Sequence, residues 1–145
     1  MISAPTPNTV VIGAGPVAVA LAGAMRLGGV PVLGLWARRA ERARAAGAIA
    51  GVAAFSSAPP DILLEASTVL LAVRDDAIVE VASKLVGTGL ITKNHVFVHC
   101  SGSVSADEAF GHVRDKIGGG GVLHPLRAIA DGRGAMRSLA GTTFG

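Results

Sequence analysis

The stretch Gly13-Ala14-Gly15-Pro16-Val17-Ala18 constrains this chain more than any other. It fits G-x-G-x-x-G/A, a pattern that is weak alone and specific when it joins a strand to a helix. Val10, Val11 and Ile12 precede it as a short β-branched apolar run, the mark of a strand buried on both faces. An Ala- and Leu-rich stretch from Val17 to Leu27 follows and reads as a helix. Pro16 falls in its first turn, where a missing N–H has no helical partner to lose. In that setting Gly13 permits the tight turn, Gly15 keeps the backbone bare, and Ala18 lets helix and strand pack closely. Free amides and the positive helix end then face an anion, and the expected anion is the diphosphate of a dinucleotide. The competing reading is an ordinary glycine-rich turn.

The alternation continues beyond the turn. Gly28 and Gly29 end the first helix, and Val30 to Trp36 form a strand. Ala40 to Ala48 reads as a short helix, Val52 to Phe55 as a strand, and Asp61 to Glu65 as a helical turn. Thr68 to Val73 is a strand, Asp75 an N-cap for a helix through Val86, and Val96 to Cys100 a strand. Ala106 to Ile117 reads as a helix, Gly118 to Gly121 as a flexible loop, and Val122-Leu123 as the start of another strand. Leu139 to Phe144 could start one more. Repeated βαβ units imply an α/β fold, a doubly wound, mostly parallel Rossmann sheet in three α/β/α layers. Residues 1–8, with Pro5 and Pro7, read as a loose tail, and 9–145 as one domain.

Composition narrows the function. Half of the 145 residues are hydrophobic and aromatics are only 3%, so Ala, Val, Leu and Ile must fill the core. The net charge of +3 is scattered except for Arg38, Arg39, Arg42 and Arg44. Nucleic-acid binding wants clustered charge and stacking aromatics, so it is not expected. The apolar run from Val10 to Met25 is shorter than the ~20 residues of a membrane span and contains Gly13, Gly15 and Pro16. It also lacks preceding basic residues, so neither a membrane segment nor a signal peptide is expected. Cys100 is the only cysteine, which points to a reducing, cytoplasmic setting. The four histidines and one cysteine show no metal-ligand spacing, and no metal is expected.

The end of the second strand bears on which dinucleotide is bound. An NAD-type site usually places an acid there for the ribose hydroxyls. Trp36 and Ala37 hold that place, Arg38 and Arg39 follow, and Glu41 is the next carboxylate. Two guanidinium groups suit a 2′-phosphate, so the expected cofactor is NADP. They could also be solvated residues opening a basic helix.

Ligands of a doubly wound sheet bind beyond the carboxyl ends of its strands. Ala72-Val73-Arg74-Asp75-Asp76-Ala77-Ile78 follows the fourth, His99-Cys100-Ser101-Gly102-Ser103 the fifth, and His124-Pro125-Leu126 the sixth. With the glycine turn, these segments resemble the N-terminal domain of the 6-phosphogluconate dehydrogenase-like superfamily, from Val10 to Gly145. That group includes pyrroline-5-carboxylate reductase and deazaflavin-dependent NADP reductases, and Rossmann-like proteins that carry a C-terminal helical domain. Arg74 departs from the pattern, since relatives usually have proline there.

The resemblance implies that Ala72, Val73 and Arg74 pass near the cofactor ribose and that Ile78 packs beside the adenine. It places His99, Ser101 and Gly102 near the nicotinamide, with His124 facing the same cleft. Two histidines there could bond a small-molecule substrate or move a proton, as catalytic residues. Each also has a plainer reading: His99 as a buried hydrogen-bonded residue, His124 as a turn residue before proline. Asp75 and Asp76 read as a cap and a surface acid, and Cys100 as packing. In the resembling families a C-terminal helical domain completes the substrate pocket and often a homodimer. The expected function is therefore the NADP-binding domain of an oxidoreductase, able to bind cofactor but poor in turnover alone. The alternative is a non-catalytic NADP-binding sensor or regulatory module. A methyltransferase-like fold using S-adenosylmethionine is weaker, because it too wants the missing acid.

Overall fold

Every strand expected within the described residues is found, and all pair in parallel. The computed structural model describes residues 8–124, so the strand expected at Leu139–Phe144 and the Pro125-Leu126 pair lie outside the described residues. The elements run β1 (Thr9–Ile12), α1 (Pro16–Leu27), β2 (Val32–Ala37), α2 (Ala40–Ala50), β3 (Ala54–Ser56) and β4 (Thr68–Leu71). They continue with α3 (Ile78–Gly87), β5 (Val96–His99), α4 (Ala106–Phe110) and β6 (Gly119–Val122). Short 3₁₀ turns occupy Asp61–Glu65, Asp75–Ala77 and Gly111–Lys116. The sheet order is β3-β2-β1-β4-β5-β6, that of a doubly wound dinucleotide-binding sheet.

Alternation along each strand divides the core into two layers. Val11, Leu35 and Leu70 face one side and bury against Ala18, Leu21, Ala43 and Ala46 of α1 and α2. Val10, Ile12, Val69, Leu71 and Phe97 face the other and bury against Ile78, Ala82 and Leu85 of α3 and Phe110 of α4. Each large side chain fully buried this way contributes about 1.5–3 kcal/mol. Register aligns the carboxyl ends: Ile12 pairs with Trp36 and Leu71, Leu71 with His99, and His99 with Val122. The turns that follow β1, β2, β4 and β5 therefore emerge along one edge. The chain reverses its winding between β1 and β4, and that edge is the candidate site.

Several local expectations need correction. Asn8 is not loose: Ser67 Oγ accepts its amide hydrogen at 3.0 Å, and its carbonyl accepts from Thr68 N–H at 3.1 Å. The glycines at 118–121 are not simply a loop, since Gly119–Val122 is the edge strand β6. A Cβ on Gly120 would come within 2.9 Å of the Phe110 ring, and one on Gly118 would strike the Lys93 carbonyl. These glycines let α4 and the preceding loop lie directly on the backbone. Asp75 does not cap α3; a 3₁₀ turn intervenes, and its carboxylate is used elsewhere. The helix expected from Ala106 to Ile117 ends at Phe110 and continues as the 3₁₀ turn Gly111–Lys116. Ser105 and Glu108 open it with reciprocal capping hydrogen bonds.

Candidate functional site

The glycine turn separates into two glycines with different reasons to exist. Gly13 has φ +131, and its N–H donates to the Trp36 carbonyl at 2.8 Å. A Cβ there would run into the Ala72 carbonyl. Gly13 is thus fixed by the protein's own packing between β2 and β4. Gly15 is different. It caps α1 in an extended conformation, φ −81 and ψ −177, and a Cβ on it would meet nothing within 4 Å among the described residues. No internal contact requires glycine at that position. The bare backbone there leaves room for a ligand to come close to the start of α1.

The helix end is prepared for an anion. The helical ladder starts with Val19 N–H donating to the Gly15 carbonyl at 3.0 Å, so the amides of Val17 and Ala18 come before it. Pro16 has no N–H, the first turn carries no acidic residue, and no side chain caps it. Ala18 is fully buried, and the Cβ of Ala18 lies 3.5 Å from where a Gly13 Cβ would be. The backbone of Ala14 leads into this turn. These residues can hold a diphosphate.

A cavity of about 330 Å³ opens beside the turn, beyond the ends of β1 and β2, with Gly13, Trp36, Ala37, Arg38 and Val73 on its wall. Glu80 and Lys84 of α3 line it as well, and the sequence reading missed both. Spaced by one turn on an amphipathic helix, they read as solvated charges, and both remain exposed where they line the cavity. Trp36 is 5% exposed, its indole N–H has no hydrogen-bond partner among the described residues, and Lys84 Nζ stands 5.6 Å from its ring centroid. Arg39 is exposed at the start of α2 and is not on the cavity wall. Ala72 is pinned by its N–H to the Ile12 carbonyl at 2.8 Å, and Arg74 turns to Asp76 at 2.9 Å. Ile78 is completely buried in the core beneath α3 and does not line the cavity.

A second cleft, of about 550 Å³, lies past β5 and β6 and brings Ser101, Gly102 and His124 together with Ser103 and Glu108. His124 donates from Nδ1 to the Cys100 carbonyl at 3.2 Å, which leaves Nε2 as an acceptor. A Cβ on Gly102 would come within 2.7 Å of that Nε2, so the glycine makes room for the imidazole. His99 does not join it. Its ring is 0% exposed, packs 5.6 Å from the Phe110 ring, and accepts the Ser101 N–H at Nδ1 over 3.0 Å. Nε2 of His99 is buried without a partner among the described residues. His99 therefore shapes the Ser101 loop rather than reaching either cleft.

That loop is tied to the one after β4. Ser103 N–H donates to Ser101 Oγ at 3.1 Å, and Ser103 Oγ donates to Asp75 Oδ2 at 2.9 Å. Asp75 thus links the loop after β4 to the loop after β5 instead of capping α3. A further buried histidine, His95, latches β5 to the turn before β4: it is 2% exposed, with Nε2–H on the Leu63 carbonyl at 2.6 Å. No group of three or more His, Cys, Asp or Glu is placed to hold a metal among the described residues, and no described helix is long and apolar enough to cross a membrane.

Burial pushes the Cys100 thiol up to about 12. Cys100 is therefore expected to react with a disulfide reagent at pH 8 at least about 100-fold more slowly than the same thiol in denaturant. The unfolded chain loses that proton at lower pH than the folded one, so stability should fall as pH rises from the ordinary thiol range toward 12. Equal labelling rates in folded and unfolded protein would contradict both expectations.

No protein-family model and no curated sequence matches the chain. Solved structures do. A Bacteroides fragilis protein described as an NADP oxidoreductase superposes with a TM-score of 0.67 at 24% identity, over 86% of this chain and 45% of its own. The arogenate dehydrogenase of Synechocystis gives 0.66 at 21% identity, over 88% and 44%. An imine reductase of Streptomyces aurantiacus gives 0.59 at 29% identity, over 83% and 42%. The chain spans less than half the length of each. These neighbours are described as oxidoreductases, and the likeness bears out the expected α/β Rossmann fold and agrees with the expected resemblance.

Proposed function

We propose that this chain is the cofactor-holding domain of an NADP-dependent oxidoreductase acting on a small molecule. One observation carries the reading: Gly15 is bare toward open space at an acid-free helix N-terminus, at the edge where the sheet reverses its winding. The amides of Val17 and Ala18 would hold the diphosphate, and Gly15 lets it come close. Arg38, on the cavity wall, would meet the 2′-phosphate, with Arg39 adding charge from outside. Ser101 and Gly102 would border the nicotinamide end, where His124 offers Nε2 to hold or pass a proton at a substrate heteroatom. The cofactor itself, when bound, supplies the hydride chemistry. A helical domain after this one would complete the substrate pocket and a homodimer, and a lone protonated thiol suits a cytoplasmic enzyme.

The test is a pair of dissociation constants, for NADP and NAD, on the chain and on Arg38→Ala. NADP should bind more tightly, and the substitution should weaken NADP about tenfold while leaving NAD unchanged, the effect of losing a charge-assisted contact. Equal or tighter binding of NAD, or an Arg38→Ala protein with unaltered NADP affinity, would overturn the assignment.

A further inference from the structure

We propose that Lys84 is a second cation that selects for the 2′-phosphate, reaching the ribose end of the cavity from α3 while Arg38 reaches it from β2. The inference rests on the NADP reading and adds a determinant from a different element. Glu80 and Lys84 have the i, i+4 spacing that normally forms an ion pair along a helix. They do not form one. The ion pairs among the described residues are Arg74–Asp76 and Arg114–Asp107, and neither Lys84 nor Arg38 belongs to either.

Lys84 is instead held over the Trp36 ring, with Nζ 5.6 Å from the centroid. Lys84 is solvent-exposed and lies on the wall of the same cavity as Arg38. Trp36 lies beneath it, buried, with an indole N–H that no described residue accepts. The same wall thus presents Arg38 and Lys84, neither ion-paired among the described residues, and one carboxylate. A ribose hydroxyl pair would want the carboxylate and has no use for two cations. A phosphate on the 2′-oxygen takes both cations, with Glu80 as the opposing charge that limits how tightly it is held.

Trp36 is the only tryptophan in the chain, so its fluorescence reports directly on this cavity. The full chain should be titrated with adenosine 2′,5′-bisphosphate and with 5′-AMP, comparing dissociation constants rather than signal amplitudes. Lys84→Ala should weaken the bisphosphate about three- to tenfold and leave 5′-AMP unchanged, the range for an exposed to partly desolvated charge contact. Lys84→Arg should recover most of the affinity, and Glu80→Gln should tighten the bisphosphate alone. Circular dichroism melting of each variant separates a folding defect from a lost contact. A Lys84→Ala protein that binds both ligands as before, or loses both equally, overturns the role of Lys84. Selective loss in Arg38→Ala together with no loss in Lys84→Ala removes Lys84 while the NADP reading stands. If the parent chain binds the bisphosphate no more tightly than 5′-AMP, the NADP reading itself fails before any variant is made.

Discussion

Gly13→Ala is expected to lower the unfolding free energy by about 3–5 kcal/mol, the sum of backbone strain and overpacking at one atom. The residue sits at φ +131, where a side chain is strained whatever the space around it, and the added Cβ would strike the Ala72 carbonyl. Neither partner can step aside cheaply. Gly13 N–H is on the Trp36 carbonyl and Ala72 N–H is on the Ile12 carbonyl, both at 2.8 Å, so moving either strand end breaks the hydrogen bonds that join β1 to its neighbours. Domains of this size hold only about 5–15 kcal/mol in total, so the variant should melt roughly 10 °C or more below its parent. Thermal and urea unfolding followed by circular dichroism check this. A loss below about 1 kcal/mol would mean the β1–α1 turn is looser than its geometry indicates.

Much of this architecture could be read before any coordinates, because it is written in local periodicity. Val10-Val11-Ile12 and Thr68 to Leu71 are fully apolar runs that only a strand covered on both faces explains. The glycine turn, the missing acid at Trp36 and the arginines after it were equally visible. What escaped was set by distant partners. A run of glycines is a poor strand by propensity, and β6 exists because Phe110 lies on Gly120 and the Lys93 carbonyl on Gly118. Asp75 looks like a cap within its own segment, yet its partner Ser103 is 28 residues away. His95 is placed by the Leu63 carbonyl across 32 residues, and His99 is withdrawn from the cleft by Phe110. Glu80 and Lys84 stay exposed, and only the fold places them on the cavity wall. The glycine turn is local and legible in the sequence; the side chains that line the cavity are set by the fold.

Gly15→Val should do the reverse of Gly13→Ala: keep the fold and lose the nucleotide. Residue 15 has ordinary extended dihedrals and a Cβ there meets no described atom within 4 Å, so the fold should tolerate the side chain. The stability cost should stay near 1 kcal/mol, the difference between glycine and a poor N-cap residue. Binding should weaken at least about 100-fold, because the methyls stand between the α1 amides and any diphosphate, and two charge-assisted hydrogen bonds are worth about tenfold or more each. Gly15→Ser sharpens the argument. Serine caps helices well, so its hydroxyl should accept from Val17 or Ala18 N–H and leave stability equal to the parent or slightly above it. Those are the donors the diphosphate needs, so affinity should still fall about tenfold, by competition from within the chain. Melting curves and NADP titrations on both variants separate the effects. Unimpaired NADP binding by Gly15→Val would show that the bare backbone at the start of α1 is only a turn, and that the nucleotide, if held at all, is held elsewhere.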